Sequence, residues 1–271
     1  MSGWKPNVRS RHPLRNRSDA FIVLTLVIYT QTLILTVLYC VIAFPFLLLF
    51  LLFNSFSIRR MRGVVRFFIL WYGKAVIHLG WYPYVRVRFE DCSGEPVRGG
   101  IYICNHRSSS DPFLAAAFTL ARPPAQVVNR WPMRLPFFGF FARLGGYLDV
   151  TAHSYEESLE WAREMVKSDV PVVVFPEGTR SGSRKMNQFH GTFFRIAKEL
   201  DCRLVPVAIT GNEHCPDRNF RMSRGRVRVC LLPEVERRIV RETPPFQLKN
   251  LVRRILMEQT QKMDAAENEH V

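Results

Sequence analysis

Apolar residues are distributed very unevenly along this chain. From Phe21 to Phe53 no charged residue occurs. As a single helix this run would be about 50 Å long at about 1.5 Å per residue, whereas the hydrocarbon core of a bilayer is about 30 Å thick. The pattern predicts a membrane-inserted segment over residues 21–53, as one long tilted helix, a span with an interfacial extension, or a hairpin of two helices.

Both flanks of this apolar run are basic. The tendency of cytoplasmic segments to carry Lys and Arg places both ends on the cytoplasmic side. That placement favours a hairpin, bent at Tyr29–Thr32 or at Pro45, although a single span stays open as an alternative. A cleaved signal peptide does not fit, because its apolar region would be only about 7–15 residues long. Residues 1–18 contain no carboxylate, and the flanking cations are Lys5, Arg9, Arg11, Arg15, Arg17, Arg59, Arg60, Arg62 and Arg66.

The next stretch, residues 61–82, mixes basic and aromatic side chains. Long basic side chains reach water while aromatic rings sit among lipid headgroups, so the mixture predicts an amphipathic helix at the lipid interface. We therefore assign residues 1–82 to a membrane-associated N-terminal part. The interleaved residues are Arg62, Arg66, Phe67, Trp71 and Lys74.

Residues 83–271 alternate between strand-like and helix-like patterns, which predicts one α/β domain with a mixed sheet and helices on both sides. Ser154 and Glu157 form a capping box that marks one helix start. The C-terminal helix is basic and amphipathic. Strands are predicted at 85–89, 101–104, 170–175, 204–209 and 226–232, and helices at 111–121, 154–167, 190–200 and 246–263.

The formal net charge is +15, which implies an anionic partner. An arginine cluster near the predicted last strand could bind nucleic acid, but no recognised nucleic-acid-binding module accompanies it. We therefore expect no nucleic-acid partner and favour anionic lipid headgroups. The six cysteines show no C-x-x-C spacing, so we expect reduced thiols and no metal site. The arginine cluster comprises Arg218, Arg221, Arg224, Arg226 and Arg228.

One polar loop follows the predicted strand at 101–104 and contains His106 and Asp111. A histidine with a pKa near 6.5 can accept a proton at neutral pH, and a carboxylate on its other ring nitrogen fixes the tautomer. The loop has serines but no G-x-S-x-G elbow, so we expect His106 to deprotonate a substrate hydroxyl. The alternative is a helix start, with Asp111 as N-cap and Pro112 at the first helical position.

A second polar loop follows the predicted strand at 170–175. Gly178 permits close backbone approach, so amides in this loop are candidates for an oxyanion hole. Arg180 is suited to clamp a phosphate or carboxylate. For Glu177 three roles stay open: binding a substrate hydroxyl, bracing the loop, or forming an ion pair with Arg180.

These two loops, Asn105–Asp111 and Phe175–Ser181, followed by the Val-Pro-rich run Val205–Ile209, resemble the glycerolipid acyltransferase family, which includes 1-acylglycerol-3-phosphate O-acyltransferases. The resemblance extends from Val85 to Leu232. It implies transfer of a fatty acyl group from acyl-CoA or acyl-carrier protein to a lipid hydroxyl, with no cofactor. The expected partners are therefore membrane lipids and the acyl donor.

The resemblance also implies residue roles. His106 is the expected base and Asp111 the residue that orients it. Val205–Ile209 is expected to line the acyl-donor side. The catalytic domain is expected on the cytoplasmic face of a membrane, taken to be a bacterial inner membrane. The implied acceptor-binding loop comprises Glu177, Gly178, Thr179 and Arg180.

One segment departs from the family's pattern, in which a lysine precedes a Pro-Phe-Gly turn and a Gly-rich stretch ends in an Asp-Arg pair. Here Asn129 stands at the lysine position with Arg130 beside it, the turn ends at Gly139, and the final pair reads Asp149-Val150. We expect Arg130 and Gly139 to contribute to substrate binding. The departure leaves open a non-glycerophosphate acceptor, such as an aminolipid or specialised lipid. A non-catalytic membrane lipid-binding protein is a separate alternative.

Overall fold

The computed structural model describes residues 13–53, 58–94, 96, 98–118 and 122–268. Two long N-terminal helices, α1 (Pro13–Phe53) and α2 (Ile58–Ala75), precede the domain, and a π-helical turn extends α2 to Gly80. The basic residues Lys5, Arg9 and Arg11 lie outside the described residues.

Seven strands form one mixed sheet in the order β1-β7-β6-β2-β5-β3-β4, and only the β6–β7 pair is antiparallel. The predicted fold class is thereby confirmed. The strands are β1 (Val85–Asp91), β2 (Gly100–Cys104), β3 (Ala125–Val128), β4 (Leu148–Asp149), β5 (Pro171–Val174), β6 (Leu204–Thr210) and β7 (Gly225–Leu231).

Helices cover both faces of this sheet, because side chains along each central strand alternate between two cores. Ile101 and Ile103 face one core, and Tyr102 and Cys104 face the other. The remaining helices are α3 (Asp111–Phe118), α4 (Arg130–Met133), α5 (Pro136–Leu144), α6 (Tyr155–Lys167), α7 (Thr192–Glu199), α8 (Arg237–Glu242) and α9 (Pro245–Asn268).

The predicted capping box is present at the start of α6: Ser154 accepts from the Glu157 N–H, and the Glu157 carboxylate accepts from the Ser154 N–H. Five short elements were not predicted: β3, β4, α4, α5 and α8. Each spans only two to nine residues, which is too short for a hydrophobic period to show.

The hairpin expected within residues 21–53 is not formed, since α1 is continuous through Tyr29–Thr32 and Pro45. The polar side chains at residues 29–32 bind α1 to the rest of the protein. The Tyr29 hydroxyl donates to the Phe220 carbonyl oxygen at 2.7 Å, and Gln31 donates to the carbonyl oxygens of Leu79 and Tyr82. Because these groups find partners in the domain, they do not force a bend.

Instead, α1 and α2 pack side by side in antiparallel fashion. Thr36 and Tyr72 share a hydroxyl hydrogen bond of 2.8 Å, and the Tyr39 hydroxyl donates to the Phe68 carbonyl oxygen at 2.7 Å. Two segments, Ala20–Phe53 and Met61–Gly80, are long and apolar enough to cross a membrane by length and composition. That finding alone is weak evidence for a span.

The expectation for α2 needs one correction. Phe67 and Trp71 are half exposed, and the Lys74 ammonium lies 4.7 Å from the Trp71 ring centroid. Arg66, however, is buried rather than reaching toward lipid. Its guanidinium donates to the Gly145 carbonyl oxygen at 3.3 Å, because α2 lies against the end of α5.

Candidate active site

The two polar loops meet at one edge of the sheet. β2, β5 and β6 are neighbouring strands that run parallel, so their carboxyl ends share that edge. Ligands of open α/β sheets commonly bind there. The loops are joined directly: the Ser181 N–H donates to the His106 carbonyl oxygen at 2.8 Å, and the Gly182 N–H to the Arg107 carbonyl oxygen at 3.0 Å. The topology therefore makes one site from two distant motifs.

His106 and Asp111 form a hydrogen-bonded pair. His106 Nδ1 lies 2.7 Å from Asp111 Oδ2, the aspartate is fully buried, and the imidazole is 17% exposed. The same oxygen accepts from the backbone N–H groups of Arg107 and Ser108 at 2.8 and 2.9 Å. With Nδ1 bonded to Asp111, Nε2 is the nitrogen left to exchange a proton with a substrate.

The helix-capping interpretation of Asp111 is wrong in detail. Asp111 is the first helical residue of α3, not its N-cap, and the Ser110 carbonyl oxygen accepts from the Phe113 and Leu114 N–H groups. Its carboxylate turns back toward the loop that precedes α3. Asp111 therefore folds the loop that carries His106 and orients the imidazole at once.

Glu177 braces this loop from the other side. Its Oε1 accepts from the His106 N–H at 2.6 Å, and its Oε2 accepts from the Asn187 N–H at 2.8 Å. Burial raises the pKa of the Glu177 carboxyl, although both N–H groups favour the ionised form. Of the three roles considered for Glu177, the structure shows loop bracing.

The rest of the second loop is more open. Gly178 has φ +71°, a left-handed conformation that favours glycine, and its own N–H is committed to the Phe175 carbonyl oxygen at 3.1 Å. The Gly178 amide is therefore not available as an oxyanion donor. Thr179 is exposed. The Arg180 guanidinium lies 4.7 Å from the Phe220 ring centroid and donates to the Arg218 carbonyl oxygen at 3.2 Å.

The departing segment reaches the site through Asn129, whose side-chain amide donates to the Gly178 carbonyl oxygen. Arg130 follows at the start of α4 and is exposed. Gly139 lies in α5, where an added Cβ would collide with the Met133 carbonyl oxygen, so it serves the close packing of α5 on α4. The structure thus brings Asn129, but not Gly139, into contact with the loop Phe175–Ser181.

Five buried polar residues around the site escaped sequence reasoning. Asn105 pins its loop to β6, accepting from the Ile209 N–H at 2.7 Å and donating to the Ile209 carbonyl oxygen at 2.9 Å. The Asn212 amide donates to Asp111 Oδ1. A strand-end position was the only available signal for these two residues. The other three are Arg107, Glu213 and Asp264.

Arg107, Glu213 and Asp264 form a buried ionic group. The Arg107 guanidinium donates to both Asp264 oxygens at 2.9 and 2.7 Å and lies 3.3 Å from Glu213 Oε2. Arg184 donates to Glu213 Oε1 at 3.0 Å. This group joins the loop that carries His106 to α9.

The chain is similar to known acyltransferases. Residues 84–210 match the family model described as Acyltransferase. The 1-acyl-sn-glycerol-3-phosphate acyltransferase of Salmonella typhimurium is 28% identical over 239 residues, covering 86% of this chain and 92% of that protein. The matched family model and these relatives support a glycerolipid acyltransferase family for this chain.

Two further similar proteins match different shares of this chain. The 1-acyl-sn-glycerol-3-phosphate acyltransferase of Cocos nucifera is 30% identical over 115 residues, 41% of this chain and only 37% of that protein. The crystal structure of the 1-acyl-sn-glycerophosphate (LPA) acyltransferase from Thermotoga maritima superposes with a TM-score of 0.69 at 23% identity, covering 92% of this chain and 98% of that one. At that identity the likeness shows a shared fold.

The segments Val205–Ile209 and Asp149–Val150, compared above with the family's pattern, both lie within the folded domain. All residues of Val205–Ile209 are buried in the central strand β6, where they support Asn105. Val150 packs against the core that contains α6. Asp149 is engaged locally by the N–H and hydroxyl of Thr151. Neither Val150 nor Asp149 supplies a cation here.

Proposed function

We propose that the protein transfers a fatty acyl group from an acyl thioester to the free hydroxyl of 1-acylglycerol-3-phosphate at a membrane surface. The observation that carries the proposal is the buried His106–Asp111 pair. The names of the relatives that match most of the chain support this acceptor. The half-buried Arg180 precedes Ser181, whose N–H donates to the His106 carbonyl oxygen, and its guanidinium supports an anionic acceptor.

In this mechanism His106 Nε2 takes the proton of the acceptor hydroxyl as its oxygen attacks the thioester carbonyl carbon. Asp111 stabilises the imidazolium through Nδ1–H. The tetrahedral intermediate collapses, the C–S bond breaks, and the thiolate leaves with the proton returned from His106. Glu177 and Asn105 hold the loop in place during these steps and exchange no proton.

Membrane residence is part of the proposal. The outward side chains of α1 are predominantly large and apolar, with Leu33, Val41 and Ile42 each more than 60% exposed. A contiguous apolar surface of this size is a membrane or protein contact in a stable protein. The basic flanks of the chain favour the cytoplasmic face.

The experiment compares wild type with His106→Ala and with His153→Ala, an exposed histidine outside both loops. Purified full chain in lipid vesicles receives 1-acylglycerol-3-phosphate with acyl-CoA or with acyl-carrier protein, and phosphatidate formation is followed. Loss of a general base lowers turnover by about 100- to 10,000-fold, so His106→Ala should fall in that range while His153→Ala stays near wild type. Near-wild-type turnover of His106→Ala would refute the mechanism.

One observation favours a second acceptor class. Val150 stands where the family's Asp-Arg pair carries its arginine. A panel that includes an aminolipid and monoacylglycerol therefore accompanies the assay. Turnover of a non-phosphorylated acceptor in preference to 1-acylglycerol-3-phosphate would replace the proposed substrate but not the His106 chemistry.

A further inference from the structure

We infer that Phe220 is a positioning residue: its ring fixes the direction of the Arg180 guanidinium and thereby gives the site its preference for acceptors that carry a phosphate. This inference rests on the proposed function. Phe220 lies in the segment between β6 and β7, far in sequence from either polar loop. It belongs to no motif that the sequence pattern singled out.

The contact between the two residues has the geometry of a cation–π interaction. Arg180 Cζ lies 4.7 Å from the Phe220 ring centroid, well inside the range of about 6 Å over which such an interaction acts. Two hydrogen bonds from side chains to the backbone join the same segments. The Arg180 guanidinium donates to the Arg218 carbonyl oxygen at 3.2 Å, and the Arg218 guanidinium donates to the Ser181 carbonyl oxygen. Arg180 is therefore held from both its face and its edge.

The backbone at Phe220 is unusual for a large side chain. Phe220 has φ +59°, the left-handed region, while its side chain remains 47% exposed. Such a conformation is an outlier for a bulky residue and persists where the surroundings impose it. Core packing does not account for it, since half of the ring faces solvent. The contact with Arg180 gives the ring a role there.

Local hydrogen bonds impose this conformation. Asp217 Oδ1 accepts from the N–H groups of Asn219 and Arg221 at 2.8 and 2.9 Å, and the Asp217 carbonyl oxygen accepts from the Phe220 N–H at 3.1 Å. These hydrogen bonds hold the turn without any contribution from the ring. It presents Phe220 to the acceptor loop.

The turn is also fastened to α1. The Tyr29 hydroxyl donates to the Phe220 carbonyl oxygen at 2.7 Å, and the Met222 N–H donates to Thr25 Oγ1 at 3.0 Å. Phe220 therefore links the apolar helix to Arg180, which places the phosphate-binding guanidinium at a set position relative to the proposed membrane surface.

Electrostatics explains why Arg180 needs such a support. Arg218, Arg221 and Arg224 are all exposed on the same turn or just after it. Like charges repel, and an unsupported guanidinium on an open loop would move away from them into solvent. The aromatic face offers Arg180 an attractive surface on the side where the other arginines lie.

The test compares Phe220→Leu, which keeps apolar bulk but removes the aromatic face, with Phe220→Tyr, which retains it. Phe246→Leu is the matched control: Phe246 is 68% exposed and lies 4.5 Å from the Lys249 ammonium, away from the site. Kinetics are measured with 1-acylglycerol-3-phosphate and with monoacylglycerol. Phe220→Leu should raise KM for the phosphorylated acceptor about 3- to 30-fold with little change in kcat. It should leave the slower turnover of monoacylglycerol unchanged.

A second readout does not depend on turnover. Phenylglyoxal labelling of the Arg180 peptide, followed by mass spectrometry with the exposed Arg238 as internal standard, reports how firmly the guanidinium is held. Labelling of Arg180 should rise several-fold in Phe220→Leu and return toward wild type in Phe220→Tyr. Phe220→Gly relieves the left-handed backbone and should behave like Phe220→Leu, so a folding defect specific to leucine cannot decide the result.

The outcomes separate the inference from the proposed function. If wild type fails to acylate 1-acylglycerol-3-phosphate, the proposed acceptor is wrong, and the labelling readout then decides the positioning role alone. Unchanged Arg180 labelling in Phe220→Leu and Phe220→Gly overturns the positioning role. A KM increase shared equally by the phosphorylated and unphosphorylated acceptors overturns the phosphate preference.

Discussion

Replacing Asp264 by alanine removes the carboxylate that holds Arg107, the residue next to the proposed base. Arg107 is 3% exposed and would keep only Glu213, at 3.3 Å, as an acidic partner. Breaking a buried ion pair from one side costs about 3–5 kcal/mol, because the other charge stays buried without compensation. For a chain of this size that cost corresponds to a drop in Tm of about 10 °C.

Removing both charges should be far less damaging. In Arg107→Met/Asp264→Leu no uncompensated charge is buried, and Glu213 keeps Arg184 at 3.0 Å. Replacement of a buried pair by apolar residues is often neutral, so the double variant should regain most of the lost Tm. The assay is thermal unfolding of the purified full chain in detergent, followed by circular dichroism.

The matched control is Glu242→Ala, which removes one partner of the exposed i,i+4 pair with Arg238. Exposed pairs contribute little to stability, so Tm should hardly change. The reasoning fails if Asp264→Ala shifts Tm no more than Glu242→Ala does. It also fails if the loss of Tm in Arg107→Met/Asp264→Leu equals the sum of the losses in Arg107→Met alone and Asp264→Leu alone.

Three further variants probe the site. Asn212→Ala removes the donor to the buried Asp111 Oδ1. An unsatisfied buried acceptor costs about 1–3 kcal/mol of folding stability, so Tm should fall by several degrees. Gly178→Ala places a Cβ at φ +71° and 3.1 Å from His190 Nε2, so Tm should fall by several degrees. Gly191→Ala is the control, because open space surrounds that position, and its Tm should fall less. Burial of Glu213 alone would raise its pKa, but its own N–H and the nearby Arg107 and Arg184 lower it below the usual 4.5. The ionised carboxylate of Glu213 therefore stabilises the fold above pH 4.5. This stabilisation is lost as the pH falls through the lowered pKa. In Glu213→Gln, Tm should therefore decrease less steeply on the acid side of a plot of Tm against pH.

Much of the fold follows from local signals in the sequence. Runs of β-branched residues, as in Val172–Val174, predict strands because such side chains fit a pleated sheet. The capping box at Ser154 works within four residues. The His106 and Glu177 loops were recognisable because each follows such a strand, and parallel pairing of β2 with β5 then brings them together.

The contacts that complete the site are not local. Arg107 and Asp264 are 157 positions apart, and Asp264 lies on a helix whose pattern indicates only an amphipathic surface. Tyr29 and Gln31 resemble a polar interruption of an apolar run, and only the packed domain reveals that they donate to Phe220 and Leu79. Such pairings depend on which surfaces meet, a property that hydrophobic period and propensity do not encode.

The distribution of charge connects these features to the proposed chemistry. The carboxyl groups of Asp111 and Glu177 are buried beside His106 and accept hydrogen bonds, mainly from backbone N–H groups. Two carboxylates in a low-dielectric site stabilise the imidazolium that forms when His106 accepts a proton. Since these acids lie inside, the surface is more basic than the net charge of +15 indicates. The chain thus combines buried carboxylates beside His106 with a basic surface, an arrangement that suits the proposed reaction of an anionic lipid.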